Sequence, residues 1–251
     1  MSATLLETRA LCKRFGGLIA TDNVSLEVMR GECHALIGPN GAGKTTFISQ
    51  LSGTLKPEGG SVHFAGRDVT PLNAHQRAML GFARSYQITS ILNEFTVVEN
   101  VGIALQAVNG SSFRFWRSVA AETALEDEAM AILRQVGLEA LAARQARGLS
   151  HGEHRQLEIA LALATKPQLM LLDEPMAGMG PEQSENMVEL ITGLKGRYTI
   201  LLVEHDMDAV FRLADRISVL VAGRIITTGL PDEIRNNAAV KSAYLGEETT
   251  R

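Results

Sequence analysis

One eight-residue run limits what this chain can be. Gly38-Pro39-Asn40-Gly41-Ala42-Gly43-Lys44-Thr45 follows the short apolar stretch Cys33 to Ile37 and opens a segment, Lys44 to Gly53, whose spacing is helical. Glycines at the first, fourth and sixth places let backbone N–H groups converge on an anion without β-carbon clashes, and the helix start beyond them adds the positive end of a dipole. The Lys44 ammonium supplies a point charge to β- and γ-phosphates, and the Thr45 hydroxyl is an oxygen ligand for Mg²⁺. A strand, a glycine-rich loop and a helix in this order predict an ATP site running from Gly38 through Thr46.

Such a loop is shared by kinases, GTPases and transport ATPases, so the class must come from downstream. Leu169-Met170-Leu171-Leu172-Asp173-Glu174 has four apolar residues in a row, as in a parallel strand covered on both faces. Asp173 falls at its carboxyl end, where open α/β sheets place their ligands. With the phosphate loop upstream, Asp173 is expected to hold Mg²⁺ through water and Glu174 to polarise the attacking water. Taken alone, two adjacent carboxylates before Pro175 are also what a helix N-cap pair looks like.

The remaining pattern gives the fold. Residues 4 to 30 read as two β segments around Phe15-Gly16-Gly17, with Val24, Leu26 and Val28 alternating against polar neighbours, which predicts an antiparallel sheet. From Val97 to Leu149 the spacing turns helical. Beyond it, the strand Leu169 to Leu172, a helix after Pro181, the strand Thr199 to Val203, a helix from Met207 to Leu213 and a hairpin around Ala222-Gly223 alternate as a parallel sheet does. The expected fold class is α/β: a P-loop core with an antiparallel β subdomain and an inserted α-helical subdomain. It is read as one domain over 5–246, with the helical insert at 88–160 and a flexible tail at 247–251. The 251 residues carry a formal net charge of −4, which disfavours non-specific nucleic-acid binding. No stretch is long and apolar enough to span a bilayer, and none has the order of a signal peptide. Two cysteines, Cys12 and Cys33, make neither a disulfide framework nor a zinc site.

Leu149-Ser150-His151-Gly152-Glu153 opens a further helix and resembles the Leu-Ser-Gly-Gly-Gln signature of ABC ATPases. The resemblance runs from about Leu6 to Gly246. It implies that Ser150 and Gly152 touch the γ-phosphate bound by a partner cassette, so that ATP joins two protomers. It also implies that Phe15 stacks on adenine, that Gln87 senses Mg²⁺ and water, and that His205, after Leu201-Leu202-Val203-Glu204, is the switch histidine at the γ-phosphate. Three positions depart from the pattern. His151 and Glu153 replace signature residues, and Gly180 stands in Met176-Ala177-Gly178-Met179-Gly180 where the corresponding loop often has Asp or Asn.

Within the family, Phe15-Gly16-Gly17, the stretch Phe113-Arg114-Phe115-Trp116-Arg117, Val203-Glu204-His205-Asp206-Met207 and the ending through Ala243-Tyr244-Leu245-Gly246 look like the branched-chain amino acid importer ATPases. That implies a cytoplasmic subunit held at the inner face of the membrane by separate permeases. Its companions are a second, identical or related ATPase and, indirectly, a periplasmic or extracellular substrate-binding protein. ATP and Mg²⁺ are the expected cofactors, and nucleic acid is not an expected partner. Uptake of amides or urea, an exporter, and a soluble ABC ATPase acting on nucleic acid or ribosomes are the competing readings; one cassette without a coiled-coil arm weighs against the last.

Overall fold

The computed structural model describes residues 3–84, 91–108 and 119–245. In chain order the elements are β1 (Thr4–Phe15), β2 (Leu18–Met29), β3 (Cys33–Ile37), α1 (Lys44–Ser52), β4 (Gly59–Phe64), β5 (Arg67–Asp68), α2 (Ala74–Ala78) and β6 (Phe82–Arg84). They continue with α3 (Val97–Val108), α4 (Val119–Gln135), α5 (His151–Ala164), β7 (Leu169–Asp173), α6 (Pro181–Leu194), β8 (Thr199–Val203), α7 (Met207–Leu213), β9 (Arg216–Val221), β10 (Arg224–Gly229), α8 (Pro231–Asn236) and α9 (Ala238–Leu245). Two compact units result: one from the chain up to Phe82, Leu169–Glu174 and the chain from Leu194 onward, the other from Ala83–Gln168 and Pro175–Gly193.

The strands form two sheets. Four antiparallel strands lie in the order β2-β1-β4-β5, and a six-stranded sheet runs β10-β9-β3-β8-β7-β6. Every residue of β3 and β8 is buried, as parallel strands with both faces covered must be. On one face, Phe47, Ile48 and Leu51 of α1 share a core with Leu36, Leu171 and Leu201 of the parallel strands and with Leu6, Leu26 and Val28 of the antiparallel ones. On the other, Ala35 and Ile37 pack with Val210, Ile234 and Val240 from the last helices. Pairing of Leu36 with Val203 and of Val203 with Asp173 puts the carboxyl ends of β3, β8 and β7 in one row. The phosphate loop and Asp173 therefore leave the sheet at the same edge.

Sequence patterning missed β4, β5 and α2. These elements are short, and β4 begins with two glycines. A β-carbon on Gly60, at φ +79, would stand 2.3 Å from the Ala10 carbonyl oxygen, so the strand starts where only glycine fits. The helix α2 carries Arg77, a side chain 1% exposed, whose guanidinium donates to the carbonyls of Gln50 and Leu51 at the end of α1 (2.7 and 2.6 Å), and to Leu72 and Thr70. These bonds satisfy carbonyls that a helix C-terminus leaves unpaired. Burial pushes the Arg77 pKa down to about 10, still leaving it charged.

A second polar cluster joins β3 to β9. Buried His34 lies 3.0 Å from the Glu32 carboxylate and 2.8 Å from the Ser218 hydroxyl, which meets Thr228 at 2.7 Å. Burial pushes the Glu32 carboxyl up, but hydrogen bonds from His34 and the Met29 amide, with Arg216 at 3.6 Å, hold it below its ordinary 4.5. Beside it, burial pushes the Cys33 thiol up to about 12, leaving it protonated and inert.

In the second unit α3, α4 and α5 pack on one another through Val97, Val101 and Leu105, Ala129 and Leu133, and Leu157, Ala160 and Leu161. Buried Asn100 ties the entering loop by accepting from the Leu92 amide and donating to the Leu92 and Thr96 carbonyls. Among the described residues, no helix is long and apolar enough to cross a membrane.

Replacing Arg77 by Met removes its bonds to the carbonyls that end α1, leaving that of Gln50 with the Gly53 amide, and the expected loss is about 3 kcal/mol, read as a lower urea midpoint at unchanged slope. For Glu32, the lowered folded value means its contribution is complete above about pH 4.5 and is lost as pH falls through that folded value. Glu32→Gln is expected to flatten the dependence of stability on pH in that acid range, as denaturant titrations at a series of pH values will show.

Candidate functional site

The loop from Gly38 to Gly43 owes its shape to two close approaches. A β-carbon on Gly38 would lie 2.0 Å from the Leu220 carbonyl oxygen, and one on Gly43, at φ +103, 2.0 Å from that of Ala20. Between them, the Ala42 carbonyl accepts from the Gly223 amide at 2.9 Å. Strands β2 and β9–β10 thus hold the loop from either side. Gly43 is the N-cap of α1 and brings no side chain to it, so the helix start with Lys44, Thr45 and Thr46 is left for an external anion. Lys44 is buried and its ammonium donates back to the carbonyls of Gly38 (2.6 Å) and Pro39 (3.0 Å). Asn40, Gly41 and Thr45 face solvent.

Two carboxylates and an imidazole stand at the same sheet edge. Asp173 ends β7, half-buried. Glu174 follows in the left-handed region at φ +49, a conformation disfavoured for a residue with a β-carbon; its amide donates to the Val203 carbonyl at 2.8 Å. Its side chain is 44% exposed, with Oε1 4.0 Å from Nδ1 of His205, itself 63% exposed. Both groups are open to water and to each other. Behind them Glu204, 1% exposed, accepts from the amides of His205 (2.9 Å) and Asp206 (3.4 Å) and lies 3.6 Å from His205 Nδ1. Asp206 caps α7, completing a tight strand-to-helix turn. Sequence reasoning passed over Glu204, although an acid directly after the apolar run Leu201-Leu202-Val203 was itself a signal.

Phe15 ends β1 with half its surface exposed, and the Lys13 ammonium lies 5.4 Å from its ring centroid. A flat apolar face is thus available on the same unit as the phosphate loop.

The second unit carries Leu149 to Glu153. Ser150 is the N-cap of α5 in a reciprocal capping box: its hydroxyl accepts from the Glu153 amide at 3.4 Å, and the Glu153 carboxylate accepts from the Ser150 amide at 2.6 Å. Leu149 and Gly152 are buried. His151, at the first turn, reaches Ala177. Gly180 has neither a left-handed backbone nor any atom within 4 Å of a built β-carbon; its carbonyl accepts the first bond of α6, from Ser184. Gln87, the aromatic stretch 113–117 and the tail 247–251 lie outside the described residues. Among those described, no group of three or more His, Cys, Asp or Glu is placed to hold a metal.

A glycine loop wrapped on a helix start, with two carboxylates at the end of the next strand but one, defines a P-loop nucleoside triphosphatase. The chain belongs to the ABC transporter family, whose model matches residues 21–177, and residues 224–250 match the model for branched-chain amino acid ATP-binding cassette transporters. It is an ATP-binding cassette and an ATPase. The high-affinity branched-chain amino acid transport ATP-binding protein LivG of Salmonella typhimurium is 42% identical, the alignment covering 98% of this chain and 100% of that one. BraF of Pseudomonas aeruginosa, of the same description, is 38% identical with the same coverage. The ATP-binding cassette MJ1267 in its ADP conformation matches at a TM-score of 0.84 and 29% identity, covering 98% of this chain and 100% of that one.

The two kinds of glycine predict opposite outcomes. Gly43→Ala drives a methyl group into the Ala20 carbonyl and is expected to cost more than about 2 kcal/mol and to abolish ATP binding, measured by fluorescent nucleotide titration. Gly180→Asp is expected to leave stability within about 0.5 kcal/mol, because the new side chain enters open space at a helix N-cap.

Proposed function

We propose that this chain binds and hydrolyses ATP for an importer of branched-chain or related amino acids, working as one of two cassettes beneath separate transmembrane permeases at the inner face of the membrane. A periplasmic or extracellular binding protein delivers the cargo, which this chain does not touch. Phe15 stacks on adenine. The loop Gly38, Pro39, Asn40, Gly41, Ala42 and Gly43 wraps the phosphates with the amides of Lys44, Thr45 and Thr46, and Lys44 exchanges its bonds to the Gly38 and Pro39 carbonyls for phosphate oxygens. The LivG and BraF relatives align over nearly the whole of this chain and the whole of their own length, which supports carrying their transport role to this chain.

Magnesium suits the donor set. Thr45, Asp173 and Gln87 offer only oxygens, and the absence of an acidic cage among the described residues fits an ion that keeps its waters and leans on nucleotide phosphate. Bound there, it neutralises charge on the β- and γ-phosphates. Glu174 takes a proton from the attacking water, whose oxygen bonds to the γ-phosphorus as the bond to the β–γ bridging oxygen breaks and ADP leaves. His205 donates to the γ-phosphate. Leu149, Ser150, His151, Gly152 and Glu153 form the helix tip presented to the partner's ATP, with Ser150 and Gly152 as its contacts.

The observation that carries this reading is the exposed pair Glu174 and His205, held 4.0 Å apart at the sheet edge that also releases the phosphate loop. Glu174→Gln in the full chain is expected to retain ATP binding and to slow phosphate release by about 100-fold or more; undiminished release removes Glu174 from its role. In proteoliposomes with the permeases, ATP-driven uptake of labelled leucine supports the cargo, whereas uptake of an amide or urea in its place overturns that part alone.

A further inference from the structure

One side chain ties the signature turn to the loop that follows Glu174. His151, first residue of α5, has Nε2 3.1 Å from the carbonyl oxygen of Ala177. A carbonyl only accepts, so Nε2 carries the hydrogen and donates it. Neutral and protonated imidazole can both do so. The ring also lies against Gly178: a β-carbon there would be 3.5 Å from Nε2, and the backbone sits at φ +76. Residue 178 is therefore held to glycine by its conformation, with the imidazole resting on the open face that glycine leaves.

Both ends of this tie are anchored. On one side the ring grows from the turn fixed by the Ser150–Glu153 capping box. On the other, the loop closes on itself through the Met179 amide to the Met176 carbonyl at 3.2 Å, and Met176 is buried. At the end of the loop Gly180 has no side chain with which to reach outward, although space is open around it. The departures from the family pattern at 151 and 180 are thus complementary. A glycine at 151 makes no side-chain bond, whereas histidine supplies one to the loop whose last residue carries no polar group.

We propose that His151 is a positioning residue for hydrolysis: it fixes the segment 177–180 against the signature turn, so that both surfaces meet the neighbouring cassette as one rigid piece. The inference rests on the reading of Leu149 to Glu153 as acting on the partner's ATP. Because the tie is a hydrogen bond from a ring nitrogen, glutamine, which also ends in an N–H donor, replaces it in kind. Leucine keeps the bulk and loses the donor.

The test uses the full chain with Mg-ATP. His151→Leu is expected to lower kcat about tenfold with KM for ATP changed by less than about twofold, and His151→Gln to recover most of the rate. Hydrogen exchange at the amides of residues 176–180 is expected to quicken about tenfold in the Leu variant and to stay native in the Gln variant. A Leu variant with native kcat and exchange, or a Gln variant as impaired as Leu, overturns the proposal. Dimerisation on ATP in the Glu174→Gln background separates it from the reading beneath it. If the single variant stays monomeric, the partner-ATP reading fails. If the single variant dimerises and the added His151→Leu prevents this, His151 belongs to the nucleotide contact itself and not to the loop.

Discussion

The ammonium of Lys44, sunk among the carbonyls of its own loop, is the contact around which the site is arranged. A buried cation is tolerated only where acceptors surround it, and two carbonyls 2.6 and 3.0 Å away provide them. Those acceptors stay in place because Gly38 and Gly43 press against the backbones at Leu220 and Ala20, so the loop's curvature is set by neighbours on both of its sides. The antiparallel sheet is part of this support, since Ala20 belongs to β2. Phosphate oxygens accept more strongly than carbonyls, so a phosphate brought to this loop would compete for the ammonium.

Elements with strong periodicity or long apolar runs were readable. Cys33 to Ile37 and Thr199 to Val203 coincide with β3 and β8 because a strand covered on both faces is mostly apolar, its few polar side chains, His34 and Thr199, being hydrogen-bonded in place. The phosphate loop was readable because its glycines answer to hard contacts. By contrast β4, β5 and α2 left little trace, being two to six residues long and held by tertiary neighbours. Arg77 was invisible for a related reason: an arginine in a short polar helix reads as surface, and only the arrival of the α1 carbonyls makes it interior. Glu204 likewise depends on the turn amides that fold over it.

Glu153 shows how a local rule answers an electrostatic puzzle. An acid at a helix tip meant for phosphate is electrostatically unfavourable unless its carboxylate points away. That of Glu153 is bent back onto the Ser150 amide, which fixes the turn and also places negative charge by the positive helix end. The Ser150 amide is thereby engaged within the turn, while its hydroxyl accepts from the Glu153 amide and keeps its own hydrogen to donate elsewhere.

The backbone at Glu174 carries a wider lesson. Holding a residue with a β-carbon at φ +49 costs about 1 kcal/mol, and glycine or asparagine would sit there more comfortably. Selection for heat resistance alone would therefore tend to remove the carboxylate at this position. Thermostabilised versions of the molecule that are to keep this carboxylate should be searched for elsewhere in the chain.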